Sequence, residues 1–340
     1  MPEWARDELQ AALPEGWRIH WVEDFSDGSG DGTAGEGVEV LDAVQGARVY
    51  LGFGVSPEVL RAGSDSLLWV HSAAAGVGGS LHPEMRASEV RFTNSAGVHG
   101  PPMAETAIGM LLYFFRGFDL AAAGQQVGRW NRERFDAADT PVRELGEATV
   151  GILGCGGVGG EVARRLRALG SRVIALRRTA LPSGWPPSPA GLPIDPAGVE
   201  WLEGPEAVDR LVAEVDALVL TAPETPQTRG ILSAERIRAM RRGAVLVNLA
   251  RGGLLSEPAL IEALRSGALR GAGLDVFATE PLPEGHPFWT LPNVLITPHV
   301  SAVSRGFWRR EMDLILENFR RILEDPSAPL LNEVNRREGY

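Results

Sequence analysis

Three side chains in the last third of the chain have the types needed to move a proton beside a bound carboxylate: Arg251, Glu280 and His299. An imidazole has an ordinary pKa close to neutral pH, so His299 suits a general acid in one direction and a general base in the other. A carboxylate such as Glu280, if hydrogen-bonded to that ring, favours the imidazolium and fixes its orientation. A guanidinium such as Arg251 grips carboxylates and stabilises negative charge developing on a neighbouring oxygen. Each alone has a duller explanation: a surface arginine, an exposed acid, a histidine in a turn.

A second constellation lies upstream, in TVGILGCGGVGGEVARRLRALGSRVIALRRT over 149–179. Gly154, Gly156 and Gly159 form Gly-x-Gly-x-x-Gly between a strand-like run and a helix-like run, with Gly157 and Val158 completing the turn. The first glycine permits a tight turn, the second lets backbone approach a pyrophosphate, and the third lets the helix pack on the strand. The helix start then offers free N–H groups and a positive dipole end to phosphate. Where the second strand ends, an acid would accept hydrogen bonds from the adenine ribose of NAD(H). Arg177, Arg178 and Thr179 stand there instead. Two guanidiniums and a hydroxyl suit a 2′-phosphate, so NADP(H) is the expected cofactor, with NAD(H) the alternative and a solvated basic turn the competing explanation.

These residues need a scaffold, and a doubly wound parallel sheet is the one predicted. From Ala148 the aliphatic runs TVGIL, SRVIAL, ALVLTA, GAVLVNL and VLIT alternate with helical or loop segments. The first hundred residues predict strands at WRIHWVE (17–23), ARVYLG (47–52) and SLLWVHS (66–72). A long apolar helix is expected from Pro101 and an amphipathic one over roughly 305–323. DGSGDGTAGEGV at 27–38 imitates a calcium loop through Asp27, Ser29, Asp31 and Gly32, but Val38 at its twelfth position cannot ligate, so a surface loop is expected. The proline-rich 182–198 also reads as a surface loop.

Composition narrows the classes. A chain of 340 residues predicts two domains. Its net charge of −11 gives no attraction to nucleic acid or anionic membrane. No apolar run is long enough to span a membrane, MPEWARDELQ does not read as a signal peptide, and a single cysteine, Cys155, fits a reducing compartment, so the cytoplasm is expected. Every one of the 33 basic residues is arginine, which excludes a Schiff-base lysine and a Walker A lysine. No His, Cys, Asp and Glu cluster has metal-ligand spacing, so no metal is expected.

The glycine motif, LVNLARGGLLSEPAL (246–260), GAGLDVFATEPLP (271–283) and LPNVLITPHVSA (291–302) together resemble the D-isomer-specific 2-hydroxyacid dehydrogenase family, over most of the chain. LLWVHSAAAGVGG (67–79), NSAGVHGPPMAE (94–105) and ALVLTAPETPQTRG (217–230) extend the resemblance, whose nearest branch is the glyoxylate and hydroxypyruvate reductases. It implies an α/β protein of two Rossmann-like or flavodoxin-like parallel-sheet domains with the active site in the cleft between them. The substrate domain would comprise 1–100 and 299–340, and the cofactor domain 101–298. It also implies Arg251, Glu280 and His299 as the catalytic set and the backbone of Ala75 and Gly76, with Arg251, as the substrate-carboxylate site. Thr221, Ala222, Pro223, Thr228 and Ala250 fall to the cofactor. Asp275 corresponds to a position near the nicotinamide carboxamide, with a structural hydrogen-bond acceptor the equal alternative.

The implied partners are a small 2-keto or 2-hydroxy acid and a second copy of the chain, joined through 101–146. His71, His99 and His286 are expected to serve packing or loop structure. Trp289, Phe307 and Trp308 are open between lining the pocket and making core or dimer contacts. An NAD-dependent phosphoglycerate or other D-2-hydroxyacid dehydrogenase is the alternative enzyme. Formate dehydrogenases resemble this layout but usually carry glutamine at the place of Glu280. A non-catalytic, cofactor-sensing binding protein is the alternative from another class, one that a turnover assay separates.

Overall fold

The computed structural model describes residues 1–22, 38–177, 198–204 and 206–337. They form two compact units, the first from the described residues of 1–99 and 304–337, the second from those of 100–303. Residues 299–303, expected with the first unit, pack with the second. The reason is local: Val300 and Ser301 are hydrogen-bonded to the Asp275 carboxylate. The calcium-like loop except Val38, and all of the proline-rich segment except Gly198, lie outside the described residues.

The first unit contains a parallel sheet of β1 (Val49–Gly52), β2 (Trp69–Ser72) and β3 (Arg91–Asn94), in that order. β1 and β2 fall where ARVYLG and SLLWVHS predict them. β3 is only RFTN, too short and too polar to declare itself. Residues 17–22 are described and form no strand; Trp17 instead meets Phe319 of the Phe307–Glu324 helix edge-on, and Ile19 packs against the same core cluster. That helix buries Met312, Ile315, Phe319 and Ile322, an i, i+3, i+4 stripe that seats it in the core.

The second unit is a seven-stranded parallel sheet. Its strands are β4 (Thr149–Leu153), β5 (Arg172–Leu176), β6 (Val199–Leu202), β7 (Ala217–Leu220), β8 (Ala244–Asn248), β9 (Leu269–Leu274) and β10 (Val294–Ile296). Across the sheet they run β10-β9-β8-β7-β4-β5-β6. The order reverses direction at β4 and β7, so the crevice where such sheets take ligands lies beyond those two carboxyl ends. Both faces are covered, which is why β7 and β8 are buried at every residue and read as unbroken aliphatic runs.

Two strands of this sheet escape the sequence reading. β6 is a four-residue piece, VEWL. β9, LRGAGL, carries glycines that argue against a strand, yet they are what its packing needs. The Gly100–Phe115 helix lies so close that a Cβ on Gly271 would sit 2.5 Å from the Phe114 ring, and one on Gly273 2.7 Å from Met110 Sδ. The helix's buried face, Ala104, Ala107, Met110, Leu111 and Phe114, follows helical spacing against that strand. Among the described residues no single helix is long and apolar enough to cross a membrane.

Candidate active site

The carboxyl edge of the seven-stranded sheet collects the residues of interest in spatial order. Arg177 follows β5, the glycine turn follows β4, Thr221 to Pro223 follow β7, and Ala250 and Arg251 follow β8. Asp275 and Glu280 follow β9, and His299 follows β10. From β5 to β8 is three inter-strand spacings, roughly 15 Å, so an elongated ligand laid along the edge meets these loops in turn.

The glycine turn is built on close approach. Gly154 has φ +100°, and a Cβ there would lie 2.3 Å from the Ala222 nitrogen. Only glycine meets both conditions. A Cβ on Gly159 would lie 2.6 Å from the Gly154 carbonyl oxygen and 2.9 Å from Thr221 Oγ1. Gly156, by contrast, faces open space and caps the Gly157–Ala168 helix, whose first N–H groups point outward from the edge. The turn therefore has the room and the donors that a pyrophosphate needs.

Neighbouring loops hold this turn. Thr221 Oγ1 donates to the Gly154 carbonyl at 2.7 Å. Thr228 Oγ1 donates to the Pro223 carbonyl at 2.6 Å and accepts from the Thr225 N–H at 2.8 Å, which shapes the loop after β7. The N–H groups of Gly154 and Cys155 both donate to the Leu176 carbonyl, so Arg177 starts directly beside the turn. Burial pushes the Cys155 thiol up to about 12, against the weaker opposing pull of the Arg177 guanidinium. Arg178 and Thr179 lie outside the described residues.

The edge after β8 to β10 is built on hydrogen bonds. His299 Nδ1 and Glu280 Oε2 are 2.7 Å apart, and each side chain is about one-third exposed at 34%. The other Glu280 oxygen accepts the Phe277 N–H at 2.8 Å. Since an ionised carboxylate only accepts, the proton of that contact sits on Nδ1, and Nε2 is the nitrogen left to exchange a proton elsewhere.

His299 occupies the left-handed region at φ +54°, a conformation that costs a non-glycine residue on the order of 1–2 kcal/mol. Asp275 holds it there. Asp275 is fully buried. Its Oδ1 accepts from Thr297 Oγ1 at 2.5 Å and from the Val300 N–H at 2.9 Å; its Oδ2 accepts from the Ser301 N–H at 3.0 Å. Its carbonyl accepts the His299 N–H. These contacts make Asp275 a hydrogen-bond acceptor for the His299 loop.

Three residues with no assigned role in the sequence reading also shape this edge. Asn248, buried at the end of β8, accepts the Ala250 N–H with Oδ1 and donates Nδ2 to the Arg251 carbonyl at 3.0 Å. Arg251 itself donates from Nη1 to the Ala250 carbonyl at 2.7 Å. Glu257 accepts the Ala278 N–H at 2.8 Å, fastening the loop that carries Glu280. A Cβ on Gly252 would lie 1.9 Å from the Phe277 carbonyl carbon, so the Arg251 and Glu280 loops are in backbone contact. The signal in the sequence was an asparagine ending a strand three residues before an arginine, but an Asx-type turn has many other uses.

Within the first unit, Ala75 and Gly76 lie on the loop after β2, exposed and half-buried. His71 is buried, bonded to Thr93 and Glu311. His99 stacks on Phe307 at 5.1 Å, and Trp308 meets the same ring edge-on. In the second unit His286 caps the short Pro287–Thr290 turn, and Trp289 donates to the Pro283 carbonyl. The three histidines thus have packing or loop contacts.

The family described as D-isomer specific 2-hydroxyacid dehydrogenase, NAD binding domain, matches residues 108–301. Glyoxylate/hydroxypyruvate reductase A of Salmonella paratyphi C is 34% identical over 283 residues, 83% of this chain and 80% of that protein. D-3-phosphoglycerate dehydrogenase of Methanocaldococcus jannaschii is 31% identical over 293 residues, 85% of this chain; the chain spans about half, 52%, of that relative's length. A D-isomer specific 2-hydroxyacid dehydrogenase of Xanthobacter autotrophicus, solved in complex with NADPH and MES, superposes with a TM-score of 0.76. It is 31% identical, with 99% of this chain and 95% of that one covered.

Proposed function

Because the chain belongs to the D-isomer specific 2-hydroxyacid dehydrogenase family, we propose that it reduces small 2-keto acids, glyoxylate or hydroxypyruvate foremost, to 2-hydroxy acids with NADPH. The observation that carries this reading is the His299–Glu280 contact beside Arg251, at the same sheet edge as a glycine turn fit for a dinucleotide. The bound nicotinamide supplies the hydride. His299 gives the proton from Nε2 to the keto oxygen, while Glu280 holds the ring by Nδ1 and stabilises its charged form. Arg251 binds the substrate carboxylate and stabilises the negative charge that grows on the oxygen during reduction. In the oxidative direction the same nitrogen takes the proton back.

Arg177 supports NADPH: it stands beside the glycine turn where an acid would repel a 2′-phosphate. Ala222, Pro223 and Ala250 line the same edge, and we assign them to the cofactor by position. The exposed Phe118, Val127 and Trp130, the last 95% exposed, support 101–146 as the contact for a second copy, which the molar mass in solution checks.

The test is oxidation of NADPH and of NADH with glyoxylate, hydroxypyruvate, pyruvate and phenylpyruvate. We expect NADPH turnover with the first two. His299→Asn should lower kcat by about a thousandfold with NADPH affinity unchanged, and Arg177→Ala should raise the KM for NADPH about tenfold and leave that for NADH alone. Absence of turnover with every keto acid, despite cofactor binding, would overturn the reading.

A further inference from the structure

We propose that Asn94 and Ser95 are positioning residues that aim the N–H groups of Ala75 and Gly76 at the substrate carboxylate. The inference rests on the proposed reductase function and on the role that the family resemblance implies for that loop, the substrate carboxylate, and adds what sets its geometry. A trans peptide is planar, with its carbonyl and its N–H pointing in opposite directions. The Ala74 carbonyl accepts the Ser95 N–H at 3.2 Å, so the N–H of Ala75 points to the opposite side of the loop. The Ala75 carbonyl accepts Asn94 Nδ2 at 2.8 Å, so the N–H of Gly76 points away from Asn94 as well. Two successive N–H groups on one side of a loop make an anion site.

Both anchors are themselves fixed. Asn94 is buried at the end of β3, and its Oδ1 accepts the Ala96 N–H at 3.2 Å, which settles which way the amide faces. Its backbone is gripped by Asn332 from the C-terminal segment. Asn94 N–H donates to the Asn332 carbonyl, and Asn332 Nδ2 donates to the carbonyls of Asn94 at 3.1 Å and Ala96 at 2.8 Å. Asn332 does this from φ +54°, a conformation that asparagine tolerates better than most residues.

Ser95 is fully buried, with Oγ 2.9 Å from Glu311 Oε1 and 3.0 Å from the Ser72 carbonyl. Glu311 Oε1 also meets His71 Nε2 at 2.9 Å, and His71 Nδ1 meets Thr93 Oγ1 at 2.7 Å, to which Trp69 Nε1 donates. A buried polar relay of this kind is rigid because each member breaks several contacts by moving. It lies directly beneath the loop, since His71 and Ser72 end the strand from which the loop departs.

The test compares the NADPH-loaded enzyme with its Asn94→Asp and Asn332→Gly variants, using glyoxylate turnover and oxalate binding. Asn94→Asp keeps the shape and the bond to Ala96 but removes the donor to Ala75. Asn332→Gly keeps the positive φ and the backbone bond from the Asn94 N–H, and removes the two side-chain bonds to the carbonyls of Asn94 and Ala96. We expect the KM for glyoxylate and the Kd for oxalate to rise about tenfold in the first and about threefold in the second. We expect kcat to stay within about twofold and the Kd for NADPH to be unchanged.

Unchanged oxalate affinity in both variants overturns the proposal. So does a fall in kcat together with NADPH affinity, the pattern of a merely structural role. If Asn94→Asp does not fold, Asn332→Gly carries the same comparison. Should the wild type reduce no keto acid, the reductase reading fails, while the oxalate comparison still decides this proposal; a wild type that does not bind oxalate overturns it too.

Discussion

The glycine turn after β4 and the proposed catalytic edge after β8 to β10 are held by opposite means. At the turn the constraint is space. Gly154 and Gly159 are where they are because a methyl group would collide with Ala222 or with the Gly154 carbonyl. At the catalytic edge the constraint is satisfied polarity. Asp275 collects three donors from the His299 loop and holds a residue at φ +54° that would relax without it. A site built on space loses ligand affinity when something is added. A site built on hydrogen bonds loses geometry, and therefore rate, when something is taken away.

The largest expected effect that tests this contrast is Asp275→Asn. The amide can accept for Thr297 and Val300 with its oxygen, but its NH2 then faces the Ser301 N–H, donor against donor, in a site with no access to water. We expect the His299 loop to relax and kcat for glyoxylate to fall about a hundredfold, a loss of about 2.7 kcal/mol in transition-state stabilisation. NADPH affinity should be unchanged, as read by quenching of protein fluorescence. A parallel loss of NADPH affinity would instead favour the contact to the nicotinamide carboxamide that the family resemblance implies for this residue.

The same contrast explains what could be read in the sequence. The glycine turn is legible because its constraint is a residue type, and that type recurs at a spacing set by a strand, a turn and a helix. Arg251, Glu280 and His299 are legible only as a set, through the blocks that carry them. Their supports are not: Asn248, Glu257 and Gly252 act through one or two backbone contacts whose partners are up to 25 residues away. Among the strands, β7 and β8 announce themselves as buried aliphatic runs. β9 does not, because its glycines answer to Phe114 and Met110 on a helix more than a hundred residues earlier. WRIHWVE has the composition of a strand, yet its described residues, 17–22, form none, with Trp17 packed against Phe319 and Ile19 against the same cluster. Pattern reports what a segment favours, while the partner that decides the outcome is written elsewhere.

On the side governed by space, Gly159→Ala is the matching perturbation. The added methyl would lie 2.6 Å from a backbone oxygen, which cannot swing aside as a side-chain terminus can. The turn must shift, at a cost of about 1–3 kcal/mol. We expect the KM for NADPH to rise about tenfold or more, kcat at saturating NADPH to stay within about threefold, and the melting temperature to fall. Should kcat drop with the KM for NADPH unchanged, the division of labour between the two regions would be wrong.

Cys155 offers the gentlest probe, since it sits inside the turn without a chemical role. Burial pushes its thiol up to about 12. At pH 8 that leaves a thiolate fraction of about one in ten thousand, and alkylation requires the thiolate. The native protein should therefore resist iodoacetamide at pH 8 and react at the rate of an ordinary thiol in guanidinium chloride. What labelling does occur must pass through opening of the turn, so saturating NADPH, proposed to bind the closed turn, should slow it further. Alkylation in the native state at the rate of the unfolded protein, indifferent to NADPH, would mean that the turn opens freely. The close contacts of Gly154 and Gly159 would then not be what holds it.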